Sequence, residues 1–257
     1  MQTSGDFGAE MRRAFGRPIT VSDCSVEAAE SVLGPVEQFS ELGFGVIPDV
    51  LSVTEAERLI ALLPPLGTLG RSSRTLLNAP WCHDLARSLR QHPAIAPLLP
   101  EPAVAVQCTL FSKSPKSNWL VALHQDLSIP VSARVSCPEC TGWSEKEGEI
   151  FVQPPLSILE SLLAVRVHLD PCPSDAGALR VVPGSHRFGR LGGTEPAEMR
   201  AARGETVVSA AQGAALLMKP LLLHASSKAA QDATRRVLHF LFGPRELPCG
   251  LQWALAV

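Results

Sequence analysis

The chain has 257 residues, 46% of them hydrophobic and 19% charged, a composition that can bury a core and is incompatible with disorder throughout. Its 23 Lys and Arg against 25 Asp and Glu leave a net charge of -2, and the basic residues are scattered rather than gathered into a stripe, so no nucleic-acid partner is expected. The longest apolar stretch, 214–223, contains Lys219 and is too short to cross a bilayer, and no apolar segment follows Arg12 and Arg13; we expect no membrane partner, no export signal and a cytoplasmic location.

Residues 1–36 lack clean periodicity and are expected to form an N-terminal arm, with a single domain over 37–257. GFGVIPDV (43–50) reads as a short strand. Ser52-Val-Thr-Glu55 is a capping box that opens a helix ending before Pro64-Pro65, because the serine hydroxyl and the glutamate carboxylate can each satisfy an orphan backbone N–H. A second helix is predicted from Trp81 to Gln91, with Leu85 and Leu89 four apart on one face.

From Ala103 onward, β-type segments (VAVQCTLF, LLAVRVHL, ALRVV, TVVSA, AALLM and RRVLHFLF) alternate with Gly, Pro and Ser turns. Two helices leading into about eight strands predict a mainly β fold with N-terminal helices and a double-stranded β-helix core, the jelly-roll form of cupins. One stretch breaks the spacing. Residues 127–162, containing CPECTGWSEKEGEIFVQPP, are charged and Pro-rich and read as a lid-like insertion or a surface loop. The seven Cys make an odd count without regular spacing, which fits reduced thiols. Cys137-Pro-Glu-Cys140 reads either as two incidental thiols or as half of a zinc knuckle completed by Cys172 or Cys249.

The chemistry concentrates in VALHQDLSIP (121–130). Residues two apart on a strand share a face, so His124 and Asp126 can grip one cation together. His224, far downstream in LLLHASSKAA, would complete a facial triad. Two His and one carboxylate leave the other positions of an octahedral metal open, which suits non-haem Fe(II) oxygenases. His168-Leu-Asp170 is a rival pair of the same spacing, but it runs directly into Pro171 and a turn. Of the other histidines, His186 follows the Pro183-Gly184 turn and reads as its brace, His239 shares the face of Arg235, and His83 and His92 belong to the surface of the second helix.

Four pieces in this order, His124-Gln-Asp126, Gly177-Ala-Leu-Arg-Val-Val-Pro-Gly-Ser-His186, Leu223-His224-Ala-Ser-Ser227 and Arg235-Arg-Val-Leu-His-Phe, resemble the phytanoyl-CoA dioxygenase family of Fe(II)/2-oxoglutarate-dependent oxygenases over about residues 43–243. The resemblance implies His124, Asp126 and His224 as iron ligands, with 2-oxoglutarate and O2 as cosubstrates. It implies Arg235 on the distal carboxylate of 2-oxoglutarate, where a rigid guanidinium fork matches a carboxylate; Arg236 is the rival and would face the other side of the strand. Ser226 matches a hydroxyl position against the same carboxylate, although a serine at a strand start can equally pack a turn. Arg166 matches a position that lines the cosubstrate or substrate pocket, and its other reading is an outward, solvated charge. The family pattern departs at Asp175-Ala-Gly177, where Asn commonly precedes the Gly.

The implied reaction is hydroxylation of a small-molecule C–H bond with conversion of 2-oxoglutarate to succinate and CO2. A carboxylate at Asp126 disfavours halogenation. The alternative is a cupin-like metal-binding or sensing protein without turnover. The insertion mixes acidic, basic and apolar side chains and does not select a substrate.

Overall fold

A computed structural model describes residues 35–64, 72–229 and 234–257; most of the N-terminal arm expected over 1–36 lies outside these. Among the described residues three helices come first, α1 (Pro35–Leu42), α2 (Val53–Leu62) and α3 (Pro80–Gln91). The capping box forms at the head of α2: the Glu55 N–H donates to Ser52 Oγ at 3.2 Å and the Ser52 N–H donates to Glu55 Oε2 at 2.8 Å. Pro80 opens α3, where its missing N–H costs nothing. Cys82, Leu85, Ala86 and Leu89 then repeat at helical spacing and are buried.

These helices cover one face of a six-stranded antiparallel sheet ordered β1 (Phe44–Ile47), β11 (Ala215–Met218), β8 (Leu163–His168), β13 (Arg235–Pro244), β3 (Ala103–Lys113) and β2 (Ser72–Ser73). A second sheet, ordered β10 (Thr206–Val208), β9 (Leu179–Val181), β12 (His224–Ser226) and β4 (Val121–His124), completes the double-stranded β-helix. Among the described residues the remaining α-helices are α4 (Leu156–Ser161) and α5 (Glu195–Arg203). Among the described residues no helix is long and apolar enough to cross a membrane.

Strand alternation sorts the side chains. Leu163, Val165 and Val167 of β8 and Leu238, Phe240 and Phe242 of β13 pack in one cluster with Ala56, Cys82 and Leu85 of the helices. Their neighbours Arg166, Arg235 and His239 point instead into a cavity between the sheets, as a period of two requires.

β3 changes phase part-way. Leu241 pairs with Gln107 and Phe242 with Ala105, so Val106 has no partner and forms a bulge. Before the bulge, Val104 and Val106 face the inner core. After it, Cys108 and Leu110 join the helix side and Gln107, Thr109, Phe111 and Lys113 turn into the cavity. One extra residue therefore fills the cavity wall with polar groups.

The lid-like insertion expected over 127–162 is a folded layer: β5 (Ile129–Val131), β7 (Glu149–Gln153) and β6 (Thr141–Lys146) form a three-stranded antiparallel sheet. Ile129, Val131, Phe151 and Val152 are buried, and this apolar surface orders a segment whose composition reads as loop. The β6–β7 turn has positive φ at Glu147 (54°) and Gly148 (82°), the backbone that a two-residue hairpin turn needs.

Candidate metal centre and anion pocket

β4 and β12 are neighbours, and His224 lies directly across from His124 in their ladder. Directly opposed residues bring side chains within contact, and the two imidazole rings sit 4.2 Å apart, centroid to centroid. Asp126 follows β4 and its N–H is held by the Pro220 carbonyl at 2.9 Å. His124 Nε2 lies 3.6 Å from Asp126 Oδ1 and His224 Nε2 lies 3.7 Å from Asp126 Oδ2. The three donor atoms fall within 4.8 Å of one another, and this is the one such metal-holding group among the described residues.

Each imidazole is oriented from behind. His124 Nδ1 donates to the Ala122 carbonyl at 2.8 Å and His224 Nδ1 donates to the Leu222 carbonyl at 2.9 Å, which leaves both Nε2 lone pairs facing Asp126. A ligating histidine is commonly fixed in this way by a hydrogen bond through its other nitrogen. The His224 side chain is 4% exposed, whereas His124 and Asp126 keep 39% and 38%, so the centre is closed on one side and open toward the cavity. Two imidazoles and a carboxylate with open positions fit a first-row transition metal rather than a closed structural site.

Electrostatics act differently on the three donors. Burial pushes His224 down to about 4, so its ring is neutral. Burial also presses on His124, but the neighbouring Asp126 carboxylate outweighs it and raises that ring's pKa. Burial would raise Asp126, yet His224, His124 and His239 together hold its carboxyl well below the usual range.

The cavity, of about 420 Å³, opens beside this centre. Across it lie three buried cations, Lys113, Arg166 and Arg235. Lys113 Nζ donates to Ser226 Oγ at 2.8 Å and to the Ser227 carbonyl. Ser226 Oγ donates to the Gly177 carbonyl at 2.8 Å, and Arg235 Nη1 donates to the same carbonyl. Gly177 has φ +71°, and a Cβ there would lie 2.8 Å from Lys113 Nζ and 2.9 Å from the Ser227 carbonyl, so glycine is required whatever residue precedes it.

Arg166 Nη1 donates to His239 Nδ1 at 2.8 Å, which places the proton of that neutral imidazole on Nε2. The Arg166 guanidinium also lies over the Phe111 ring at 5.3 Å. Arg166 Nε and Arg235 Nε are buried without a hydrogen-bond partner. No carboxylate pairs with any of the three cations at ion-pair distance among the described residues. Buried charges of this kind are costly unless an anion joins them.

The sequence rivals lie elsewhere in the fold. Arg236 faces away from the cavity and grips Asp170, Nε to Oδ2 and Nη2 to Oδ1, both at 2.7 Å. The second H-x-D pair and the second arginine thus satisfy each other, while His168 is buried with both ring nitrogens unpartnered. His186 Nε2 donates to the Ser40 carbonyl at 3.1 Å and so braces α1. Cys172 is buried in a bridge to Ala210, whereas Cys137 lies beside Cys140 and Cys249.

Two functional positions escaped sequence reasoning. Lys113 reads as a charged strand end, and only the bulge at Val106 turns it inward. Gln125, between the two H-x-D residues, points to the opposite face: its amide donates to the Gly189 and Leu221 carbonyls at 2.8 and 2.6 Å and accepts from the Leu191 N–H at 2.8 Å. A polar residue alternating with two inward ones must find partners behind the strand, which is the signal that was there to read.

Solved structures with this fold include apo EctD from S. alaskensis (18% identity, 93% of this chain and 88% of that one, TM-score 0.62) and iron-bound HygX from Streptomyces hygroscopicus (21%, 81% and 86%, TM-score 0.56). A third is the epimerase SnoN from nogalamycin biosynthesis in complex with Fe3+, alpha ketoglutarate and nogalamycin RO (20%, 84% and 85%, TM-score 0.56). HygX has also been solved with nickel and 2-oxoglutarate. No curated protein sequence matches the chain. Residues 67–237, well over half of the 257, match the phytanoyl-CoA dioxygenase (PhyH) family, so the chain belongs to that family.

Proposed function

We propose that this protein is an Fe(II)- and 2-oxoglutarate-dependent dioxygenase that hydroxylates a small molecule at a C–H bond. His124, Asp126 and His224 hold the iron. Arg235, with Ser226 and Lys113, holds the distal carboxylate of 2-oxoglutarate, and Arg166 adds charge to the same cavity from the next strand. The observation that carries this reading is the pairing, across one cavity, of an open two-histidine, one-carboxylate centre with buried cations that lack a carboxylate partner.

When bound, iron and 2-oxoglutarate supply the oxidation chemistry, with succinate and CO2 as coproducts and one oxygen atom of O2 delivered to the substrate. The chain positions and shields. The Ala122 and Leu222 carbonyls aim the two imidazoles, Gln125 fastens the strand that carries His124 and Asp126, and the Gly177 carbonyl sets the angle of Arg235 and Ser226. The insertion sheet closes a further wall through Phe151 and Gln153, which limits water at the reacting centre.

Hydroxylation is the outcome that the family resemblance implies, and product mass separates it from epimerisation, which adds no oxygen. The test is succinate formation by the purified Fe(II)-loaded protein against a metabolite library, with product mass read in parallel. An increase of one oxygen atom is expected. Tight metal binding with no succinate from any compound would instead support a metal-holding protein without turnover.

A further inference from the structure

The cavity holds more positive charge than iron and 2-oxoglutarate can use. Four cationic side chains line it with no carboxylate at ion-pair distance among the described residues, namely Lys113, Lys146, Arg166 and Arg235, and Asp126 is the single acid. A divalent iron and a 2-oxoglutarate dianion cancel each other. Lys113 and Arg235 are assigned to the cosubstrate, which leaves Lys146 and Arg166 facing the space that remains. Water screens these poorly inside a walled cleft, which therefore concentrates anions.

Lys146 stands apart from the other three: it belongs to the insertion sheet, whereas Lys113, Arg166 and Arg235 come from the six-stranded sheet. It closes β6, the outer strand of the insertion sheet, next to the hairpin tip. That tip is fastened: the Arg74 N–H and guanidinium donate to the two carboxylate oxygens of Glu147 at 2.9 and 2.7 Å. Glu147 thereby neutralises Arg74, a fifth cation on the cavity wall, and leaves Lys146 uncompensated. The Lys146 ammonium sits over the Phe151 ring at 4.8 Å, which holds it against the wall. Phe111, Leu127 and Leu241 supply apolar surface nearby, and Thr109 and Gln153 supply neutral polar groups.

We propose that the substrate carries an oxyanion group, a carboxylate or a phosphate, and that Lys146 on the insertion hairpin is the residue that reads it. This rests on the oxygenase reading for the assignment of the opposite end of the cavity to 2-oxoglutarate. Arg166, on the floor, adds attraction for the same group. The apolar wall receives the carbon chain, whose C–H bond is thereby directed toward the triad. In this design the insertion acts as the specificity element of the fold, and one ammonium sets the charge class that it admits.

The test reads binding rather than turnover. Protein loaded with Ni(II) and 2-oxoglutarate is titrated with linear alkyl carboxylic acids, their primary amides and the matching alkyl phosphates, using calorimetry. At least one oxyanion series is expected to bind on the order of tenfold tighter than the amides, and Lys146→Gln to remove that preference while Lys146→Arg keeps it. The acid and phosphate arms tell the two oxyanions apart. Equal or absent responses to acids, phosphates and amides overturn the proposal, as does an oxyanion preference that survives Lys146→Gln. Failure to form succinate would sink the oxygenase reading while leaving this charge preference standing.

Discussion

The two ends of the cavity are built in opposite ways. At the metal end, two donors come from one short stretch and the third lies directly across the ladder, so a spacing of two residues and one strand pairing determine the geometry. At the cation end, Lys113, Arg166 and Arg235 come from three strands, and Lys113 faces inward only because β3 carries an unpaired Val106. The metal end rests on one short stretch and one strand pairing. The cation end depends on register across half of the six-stranded sheet, and a single residue inserted or removed near position 106 would turn Lys113 to the helices.

The sharpest way to test the difference is to damage each end and compare. His224→Ala removes the most buried donor of the triad. Metal affinity and succinate formation are expected to fall on the order of a thousandfold, beyond the ~10–100-fold typical of groups that merely support a ligand. Bound iron is read by elemental analysis and turnover by succinate. Retention of stoichiometric iron with full turnover would remove the triad from the mechanism.

Much of this division follows how legible each end is in the sequence. His124 and Asp126 are legible as a pair because of their two-residue spacing, whereas His224, far downstream, is legible only through the resemblance of its surrounding motif. Arg235 and Arg236 are separable by the same parity, and the Asp170 bridge to Arg236 agrees with it. Lys113 is not legible, since parity counted from Val104 and Val106 places it outside and a bulge leaves no composition signal at Val106. The insertion sheet was hidden for another reason. β6 reads Thr-Gly-Trp-Ser-Glu-Lys, too polar for a strand on its own, and only the Glu147-Gly148 turn followed by Ile150, Phe151 and Val152 hinted at a hairpin.

Damage at the cation end should leave the metal in place. Arg235→Leu removes a guanidinium buried to 3% exposure and is expected to raise the KM for 2-oxoglutarate about 100-fold, the equivalent of losing ~3 kcal/mol of a buried charge-assisted contact. Iron content should stay near one per chain. Loss of iron together with cosubstrate affinity would mean that the two ends are one cooperative unit, and the comparison would fail.

A smaller effect is expected from behind the triad. Gln125 ties β4 to the 189–191 segment and to Leu221 through three hydrogen bonds, and none of these goes to a side chain of the three metal donors. Gln125→Leu keeps the volume and leaves those backbone groups unpaired, so metal affinity should drop on the order of tenfold. A thermal melt run alongside separates a loosened strand from general unfolding, since a purely structural loss would lower the melting temperature without a selective fall in metal affinity.

The mildest test is of pH, and it isolates Lys113. Burial, together with the charges of Arg235 and Arg166 and against a small opposing pull from Cys172, brings its ammonium down to about 8. A bound dianion favours the protonated form, so cosubstrate affinity should be constant below pH 8 and decline above it, by at most about tenfold per pH unit. Arg166, which burial and Arg235 lower to about 10, stays charged over this range. Lys113→Met should therefore bind 2-oxoglutarate more weakly at pH 7 and show a flat profile from pH 7 to 9, measured by calorimetry with Ni(II) in place of iron. An identical slope in the Met variant would assign the pH dependence to another group and leave Ser226 and Arg235 as the working contacts at this end.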